Sequence, residues 1–434
     1  MRCPPVLQCV TVLLGFGTIA KGEGWFGSGS QNAVTYEDDF PTPRHQQAKE
    51  ALLNHIQRDR WVWNRSHPRY ALLNALYGYL RYRESNIEEV LKWKELYERL
   101  PFAQKKVARD VIHYDKSLDR VERLYEENAQ VADAILNHGL QYYQVDRKEL
   151  EQFAQEAEAD KREPDRKEVL QAMRHFVRDW SDDGTHERME TFPWVLETID
   201  GLFPSRHDNP DNPIKVIIPG SGLGKLAHEI GDLGGFEVTS NEWSMYMSVA
   251  YRYMQTLKEK ESVTYYPYIP RWSHQINRAN LERGVKMPNT AIDNTAIVHV
   301  EGDFTHIFKA QAGQFDVVVT LFFIDTAWNL LTYMDSIKAM LKPGGYWLNL
   351  GPLLYRAQPY VQLTLEEILD VSEHMGFEFL DIDPKWGNLT VEGRKARGVE
   401  ARYSFDLEAL IKHAYYAQMW VARKTEDDLF HSEL

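Results

Sequence analysis

Gly220-Ser221-Gly222-Leu223-Gly224 is the stretch of this chain whose composition most restricts its chemistry. Glycines at alternate positions let a backbone turn tightly and leave its N–H groups bare, so such a loop can lie against a ligand and donate to it. The loop follows an apolar run, Lys215 to Pro219, and opens a helical pattern at Lys225, the setting in which such turns hold nucleotide-like ligands. Two acids occupy comparable places downstream. Glu242, in Asn241-Glu242-Trp243, closes the second apolar run, where one carboxylate can accept from both hydroxyls of a ribose. Asp303, in Gly302-Asp303-Phe304, follows the third, where it can accept from an adenine amino group while the Phe304 ring stacks on the base. Asp325 ends a fourth, almost wholly apolar run, and a carboxylate is costly to leave unpaired there.

The spacing narrows the ligand. A dinucleotide fingerprint needs a third glycine three residues after the second, and that position is Lys225. What remains is G-x-G-x-G, the pattern of S-adenosylmethionine sites, with Gly220, Gly222 and Gly224 against the cofactor. An NAD(P)-dependent oxidoreductase on a Rossmann sheet is the alternative enzyme reading. A cofactor-binding relative without turnover is the non-catalytic one. The two cysteines, Cys3 and Cys9, have no metal-ligand or redox spacing, and no metal is expected.

The elements that must position these residues fall into two regions. From about Arg44 to Ile199 apolar residues recur at three- and four-residue spacing, as in Leu72, Leu73, Leu76, Tyr77 and Leu80, which implies a helical N-terminal domain over 44–200. Its aromatic stripe, including Trp61, Trp63, Tyr70 and Tyr77, reads as packing core. Over 201–424 short apolar runs alternate with helical ones, the texture of βα units and a mainly parallel sheet. Strands are expected at Lys215–Pro219, Phe236–Ser240, Ala296–Val300, Phe315–Phe323, Tyr346–Leu350, Phe377–Ile382 and Gln418–Arg423, with helices near 225–233, 244–258 and 328–341, the last stopped by Pro343-Gly344-Gly345. The fold class is thus α/β, a Rossmann-like seven-stranded methyltransferase sheet whose final strand inserts antiparallel. Tyr265 to Asn294, with three prolines and little periodicity, is expected to cover the site as a lid.

Bulk properties exclude some partners. The chain has 434 residues with 50 basic and 64 acidic side chains, a net charge of −14 that opposes binding to nucleic acid. Residues 1–22 carry Arg2, an apolar run from Val6 to Ala20 and small residues at Thr18, Ala20 and Gly22, as a cleaved secretory signal does. No membrane span is expected once it is removed. Residues 23–43 read as a linker and 425–434 as an acidic tail. A small molecule is the expected partner, with a homodimer left open.

With these residues in place, the chain resembles the carnosine N-methyltransferase family from about Pro68 to Lys424. The likeness is carried by Phe176-Val177-Arg178-Asp179-Trp180-Ser181, Gly222-Leu223-Gly224, Asn241-Glu242-Trp243-Ser244, Gly302-Asp303-Phe304, Phe322-Phe323-Ile324-Asp325-Thr326-Ala327 and Lys342 through Tyr355. The resemblance implies methyl transfer from S-adenosylmethionine to an imidazole nitrogen of a histidine-containing dipeptide, carnosine giving anserine. It implies that Arg178 helps hold the cofactor, that Asp325 meets the acceptor imidazole and that Tyr415 lines the acceptor pocket. Three positions depart from the pattern: His175 stands where a cofactor-touching glutamine is usual, Arg356 where relatives carry a substrate-facing histidine, and His413 in place of a pocket tyrosine. An arginine cannot accept a ring proton but binds a carboxylate through two hydrogen bonds, so a carboxylate-bearing acceptor placed differently from carnosine is expected. The family is one of cytoplasm and nucleus, whereas the N-terminal signal implies the secretory pathway.

Overall fold

Strand β1 (Ile214–Pro219) sits at the centre of the sheet because both its faces are apolar. Val216 and Ile218 point into one layer with Trp194 and Leu226, while Ile217 points into the other with Phe304 and Trp347. That two-sided burial is what a parallel sheet covered by helices on both faces requires. The computed structural model describes residues 42–295, 297–356 and 358–425. The expected signal segment, most of the linker and the acidic tail beyond Thr425 lie outside the described residues.

Helices come first. They are α1 (Pro43–His55), α2 (Pro68–Leu80), α3 (Tyr82–Glu98), α4 (Phe102–Asp110), α5 (Tyr114–Tyr142), α6 (Arg147–Ala159), α7 (Arg166–Trp180) and α8 (Thr185–Leu202). Asp146 and Asp165 cap α6 and α7 by accepting from the N–H groups of Lys148 and Glu168. Along α5 Leu118, Val121, Leu124, Val131 and Ile135 are buried, the helical period expected over 44–200. Tyr77 is in the core of this layer, but Trp61 is 49% exposed and outside it.

After β1 come α9 (Lys225–Asp232), β2 (Phe236–Glu242), α10 (Met245–Met254), β3 (Val263–Tyr265), α11 (Arg278–Glu282), β4 (Val285–Met287), β5 (Ile297–Glu301), α12 (Phe304–Ile307) and β6 (Phe315–Leu321). The chain ends with α13 (Leu330–Met340), β7 (Leu341–Gly351), α14 (Leu365–His374), β8 (Phe377–Phe379), β9 (Asn388–Leu389), β10 (Arg397–Arg402) and β11 (Ala414–Lys424). The strand order is β5-β2-β1-β6-β7-β11-β10-β9, with β8 also paired to β11. Strands β5, β2, β1, β6 and β7 are parallel and β11 runs antiparallel to β7. The seven expected strands are all present, and the sheet holds nine because β10 and β9 extend it. Arg397-Gly-Val-Glu-Ala-Arg402 has little strand character of its own; it is a strand because Arg397 to Arg402 pair with Ala414 to Met419 of β11.

Helix α13 stops at Met340, ahead of Pro343-Gly344-Gly345, which lies inside β7, where a register shift between Phe315 and Val317 on β6 absorbs it as a bulge. The stretch expected as a lid contains the β3–β4 ribbon, and its Tyr268, Ile269 and Leu281 are buried. It is a packed strap. No helix among the described residues is long and apolar enough to cross a membrane.

Candidate active site

All three loop glycines are left-handed, with φ of 65° at Gly220, 57° at Gly222 and 75° at Gly224. A Cβ on Gly220 would fall 2.2 Å from the Phe323 ring and one on Gly224 2.9 Å from Tyr251, so side chains are excluded on conformation and on space. Two carboxylates hold the loop. Glu242 Oε2 accepts from Gly222 N–H at 3.0 Å and Oε1 from Ser244 N–H at 2.8 Å. Asp179, at the end of α7, accepts from Leu223 N–H at 3.1 Å. Burial pushes Glu242 up, partly offset by the Ser244 and Gly222 N–H groups. Burial works against the Asp179 charge as well, yet His175, Arg178 and the Leu223 N–H hold its carboxyl below the usual range.

This cradle fits an adenosyl group: it is backbone only where a Cβ would clash, and Glu242 ends β2 beside it with charge to offer. His175 lies at its edge, its Nδ1 3.1 Å from where a Gly222 Cβ would be and 3.5 Å from Asp179 Oδ2. Arg178 is nearly buried. Its Nε is 3.7 Å from Glu187 and 3.8 Å from Asp179, and its guanidinium carbon is 5.3 Å from the Tyr403 ring centre and 5.6 Å from that of Phe322.

Asp303 stands at the end of β5 as expected, but part of it is occupied. Its Oδ1 accepts from Thr305 N–H and Oγ1–H at 2.9 and 2.7 Å, capping α12, while Oδ2 is 3.2 Å from His306. The stacking role expected of Phe304 does not follow from its position: the ring is 4% exposed and meets Phe323 and Tyr333 edge to face. Phe323, half-buried against Gly220, is the ring that borders the cradle. Phe304→Ala is therefore expected to cost about 3–5 kcal/mol of stability, the usual loss for a core phenylalanine. Denaturant unfolding checks it, and a variant of native stability with weakened cofactor binding would restore the stacking role.

Asp325 owes its place to strain. Phe322, at the end of β6, has φ of 51°, unusual for a bulky residue, and its N–H donates to Leu350 O at 2.8 Å. Gly351 makes room, since a Cβ there would lie 3.0 Å from Phe322 Cα. The chain turns off the sheet, and Asp325 follows on a single 3-10 turn (Ile324–Thr326). Its side chain is buried, Oδ2 accepts from Leu354 N–H at 3.1 Å, and burial pushes its pKa up to about 6. Phe322 stacks on Tyr403 at 5.5 Å, and Tyr415 meets both edge to face. The field of Asp325 reaches Tyr415. Asp325, Tyr415 and Arg178 thus share one aromatic-walled corner at the carboxyl edge of the sheet.

The other expected residues sit further out. Arg356 is exposed, its charge felt at Glu168 on α7 and Tyr333 on α13. His413 is exposed beside Tyr403, whose N–H donates to its carbonyl at 2.9 Å. Asp179, Phe322 and Tyr403 are site residues that composition and spacing alone did not single out. Asp179 follows Arg178 directly, and a buried acid in an apolar turn was its available signal; Tyr403 carries none, because only its pairing beside β11 brings it in.

Comparison with known proteins identifies the family. A family model described as carnosine N-methyltransferase matches residues 155–426. A carnosine N-methyltransferase of Schizosaccharomyces pombe is 30% identical over 388 residues, 82% of this chain and 96% of that protein. One from Rattus norvegicus is 27% identical over 355 residues, 80% of this chain and 84% of that protein. Among solved structures, magnesium protoporphyrin IX methyltransferase from Synechocystis with bound SAH is similar with a TM-score of 0.32 and 12% identity, over 56% of this chain and 87% of that one. The family model, which matches more than half of the chain, and the relative that is 30% identical over 82% of it show that the chain belongs to the carnosine N-methyltransferase family.

Proposed function

We propose that this chain is an S-adenosylmethionine-dependent N-methyltransferase acting on the imidazole of a small, carboxylate-bearing compound of the carnosine class. The observation that carries the reading is Asp325: a buried carboxylate, anchored through one oxygen, beside a wall of Phe322, Tyr403 and Tyr415 and next to the Gly220 cradle. Bound in that cradle, S-adenosylmethionine supplies an electron-poor methyl group. Asp325 accepts from one ring N–H of a neutral imidazole, which leaves the lone pair of the other nitrogen free and directed. As that nitrogen gains a substituent, positive charge develops in the ring and its remaining N–H becomes acidic. Asp325, with a pKa of about 6, is matched to take that proton. The three aromatic rings fix the ring plane and exclude water. Transfer of label from S-adenosylmethionine to a panel of imidazole compounds tests the proposal, and no transfer to any of them would refute it.

Arg356 bears on which compound is used. As an arginine it has no acceptor nitrogen, so it cannot take the part of a histidine toward the ring. Carnosine is expected to be a slow substrate, and Arg356→His to raise its kcat/KM on the order of tenfold, the worth of one well-placed hydrogen bond. Steady-state rates for carnosine and histidine with both chains decide. Brisk carnosine turnover by the natural chain, unimproved in Arg356→His, would show that this position does not set specificity.

A further inference from the structure

Helix α7 carries Arg166, Arg174 and Arg178 at spacings of eight and four, which sets them along one side of the helix. Arg178 belongs to the corner already described; the other two are not matched by acids. Arg166 donates to Asn86 Oδ1 at 2.8 Å and to the Tyr125 hydroxyl at 3.4 Å, both neutral. Arg174 lies 5.3 Å from the centre of the Phe405 ring, and its Nε is buried without a hydrogen-bond partner. A third arginine, Arg271, projects from the strap between β3 and α11. Burial, and then the fields of Arg271 and Arg166, weaken the hold of Arg174 on its proton. Among the described residues none of Arg166, Arg174 and Arg271 forms an ion pair.

The acids close by are committed elsewhere. Asp406 accepts from Arg283 at 2.6 Å and from Gln275 Nε2 at 2.9 Å, and Asp183 accepts from the Tyr268 hydroxyl at 2.8 Å. Between the strap and the β10–β11 connection lies a cavity of about 40 Å³ whose lining includes Arg271, Gln275, Tyr403, Phe405, Asp406 and His413, and the Phe405 ring also meets Arg174. It has room for a small polar group. Gln275 Oε1, an acceptor in this wall, is buried with no donor. Leu410 N–H donates to His274 O at 2.7 Å, which ties the strap to the connection and makes the cavity a fixed feature.

The cavity adjoins the aromatic corner. Ala401 pairs with Tyr415, and Tyr403 with His413 continues the same register, so the four project from one face of the ribbon. His413 and Tyr415 are two residues apart, about 7 Å along a strand. A histidine skeleton spans that distance between its ring and its carboxylate.

We propose that the recess bounded by Arg271, Gln275, Tyr403 and His413, with Arg174 behind it, binds the α-carboxylate of the methyl acceptor, while Gln275 Oε1 accepts from the N–H on the same carbon. The assignment rests on the reading of the Asp325 corner as the place of the acceptor ring. It gives Arg271, in a recess whose one acid, Asp406, is already paired with Arg283, a ligand of matching charge, and an orphaned acceptor a donor.

The test is calorimetry on the full chain with S-adenosylhomocysteine bound, comparing carnosine with its C-terminal carboxamide and histidine with histidinamide. The natural chain is expected to bind each acid about tenfold or more tightly than its amide, as a charge-assisted pair implies. In Arg271→Gln, an exposed position where folding is not at stake, the preference is expected to fall below about twofold with S-adenosylhomocysteine affinity unchanged. Arg174→Met should reduce it in the same direction. Equal binding of acid and amide by the natural chain, or no binding of either pair, overturns the assignment. So does a preference that survives Arg271→Gln, or one that Arg356→Ala abolishes instead. If the preference is present and lost in Arg271→Gln but neither acid accepts a methyl group, the carboxylate site stands and the methyl-transfer reading fails.

Discussion

Asp325→Asn is expected to abolish turnover, leave cofactor affinity near its natural value and raise the stability of the fold. The carboxylate is 7% exposed, and burial lifts its pKa to about 6 against the inward pull of the Leu354 N–H. A folded-state value above the ordinary carboxylate one means that the folded chain keeps this proton over a pH range in which the unfolded chain has lost it. Below about pH 4 both states are protonated and the side chain costs nothing. Stability then falls as the pH rises through the window from about 4 to 6, and above it the full penalty applies, on the order of 3 kcal/mol at most. Asparagine carries no charge, and its carbonyl oxygen can still accept from Leu354 N–H. The variant should melt a few degrees higher than the natural chain at pH 8 and no higher near pH 4. Turnover should fall by about 10²–10⁴, the usual worth of a positioned proton acceptor. Single-turnover methyl transfer, calorimetry with S-adenosylhomocysteine and melting at the two pH values test the three parts. A less stable variant at pH 8, or one that keeps its rate, would remove Asp325 from the chemistry.

That side chain was legible in the sequence because an acid closing Phe315 to Phe323 has nowhere polar to go. The glycine cradle was legible for a related reason: residue type alone records a positive φ, and all three glycines have one. Long apolar runs announced β1, β2, β5 and β6, and periodicity announced α5. What escaped depends on partners remote in sequence. Arg397 to Arg402 become a strand only against β11, and Tyr403 reaches the corner only through that pairing. Phe304 looked available for stacking because a Gly-Asp-Phe turn gives no sign that Phe323 and Tyr333 close around the ring. The packing of the strap is not legible either, since its anchors, Tyr268 and Ile269, sit among prolines without helical or strand period. The acidic total, −14, hid a cluster of three arginines that only α7 and the strap bring together.

Glu242→Ala is expected to weaken S-adenosylmethionine binding on the order of a hundredfold, and Asp303→Ala by about tenfold or less. The difference comes from what each carboxylate already does. Glu242 holds Gly222 and Ser244 N–H groups, one through each oxygen, and still has lone pairs for a ribose; hydrogen bonds to a charged acceptor are worth about 1.5–3 kcal/mol each. Its removal also frees the backbone of the loop, because Gly222 N–H loses its acceptor. Asp303 has spent one oxygen on capping α12, and its side chain is 46% exposed, so what it adds to a ligand is screened. Asp303→Ala should instead cost about 1 kcal/mol of stability as a lost cap. Glu242→Gln separates the two parts of the Glu242 effect: its carbonyl can still accept from Ser244, but its amide N–H groups face Gly222 N–H and cannot accept from it. An affinity for Glu242→Gln close to that of Glu242→Ala would therefore assign the loss to the loop, and one close to the natural chain would assign it to the charge-independent contact with the ribose. Titration calorimetry on chains shown to be folded by their melting curves gives both numbers. Unchanged affinity in Glu242→Ala would remove the cradle from the cofactor site, and a larger loss in Asp303→Ala than in Glu242→Ala would place the dominant contact at the adenine.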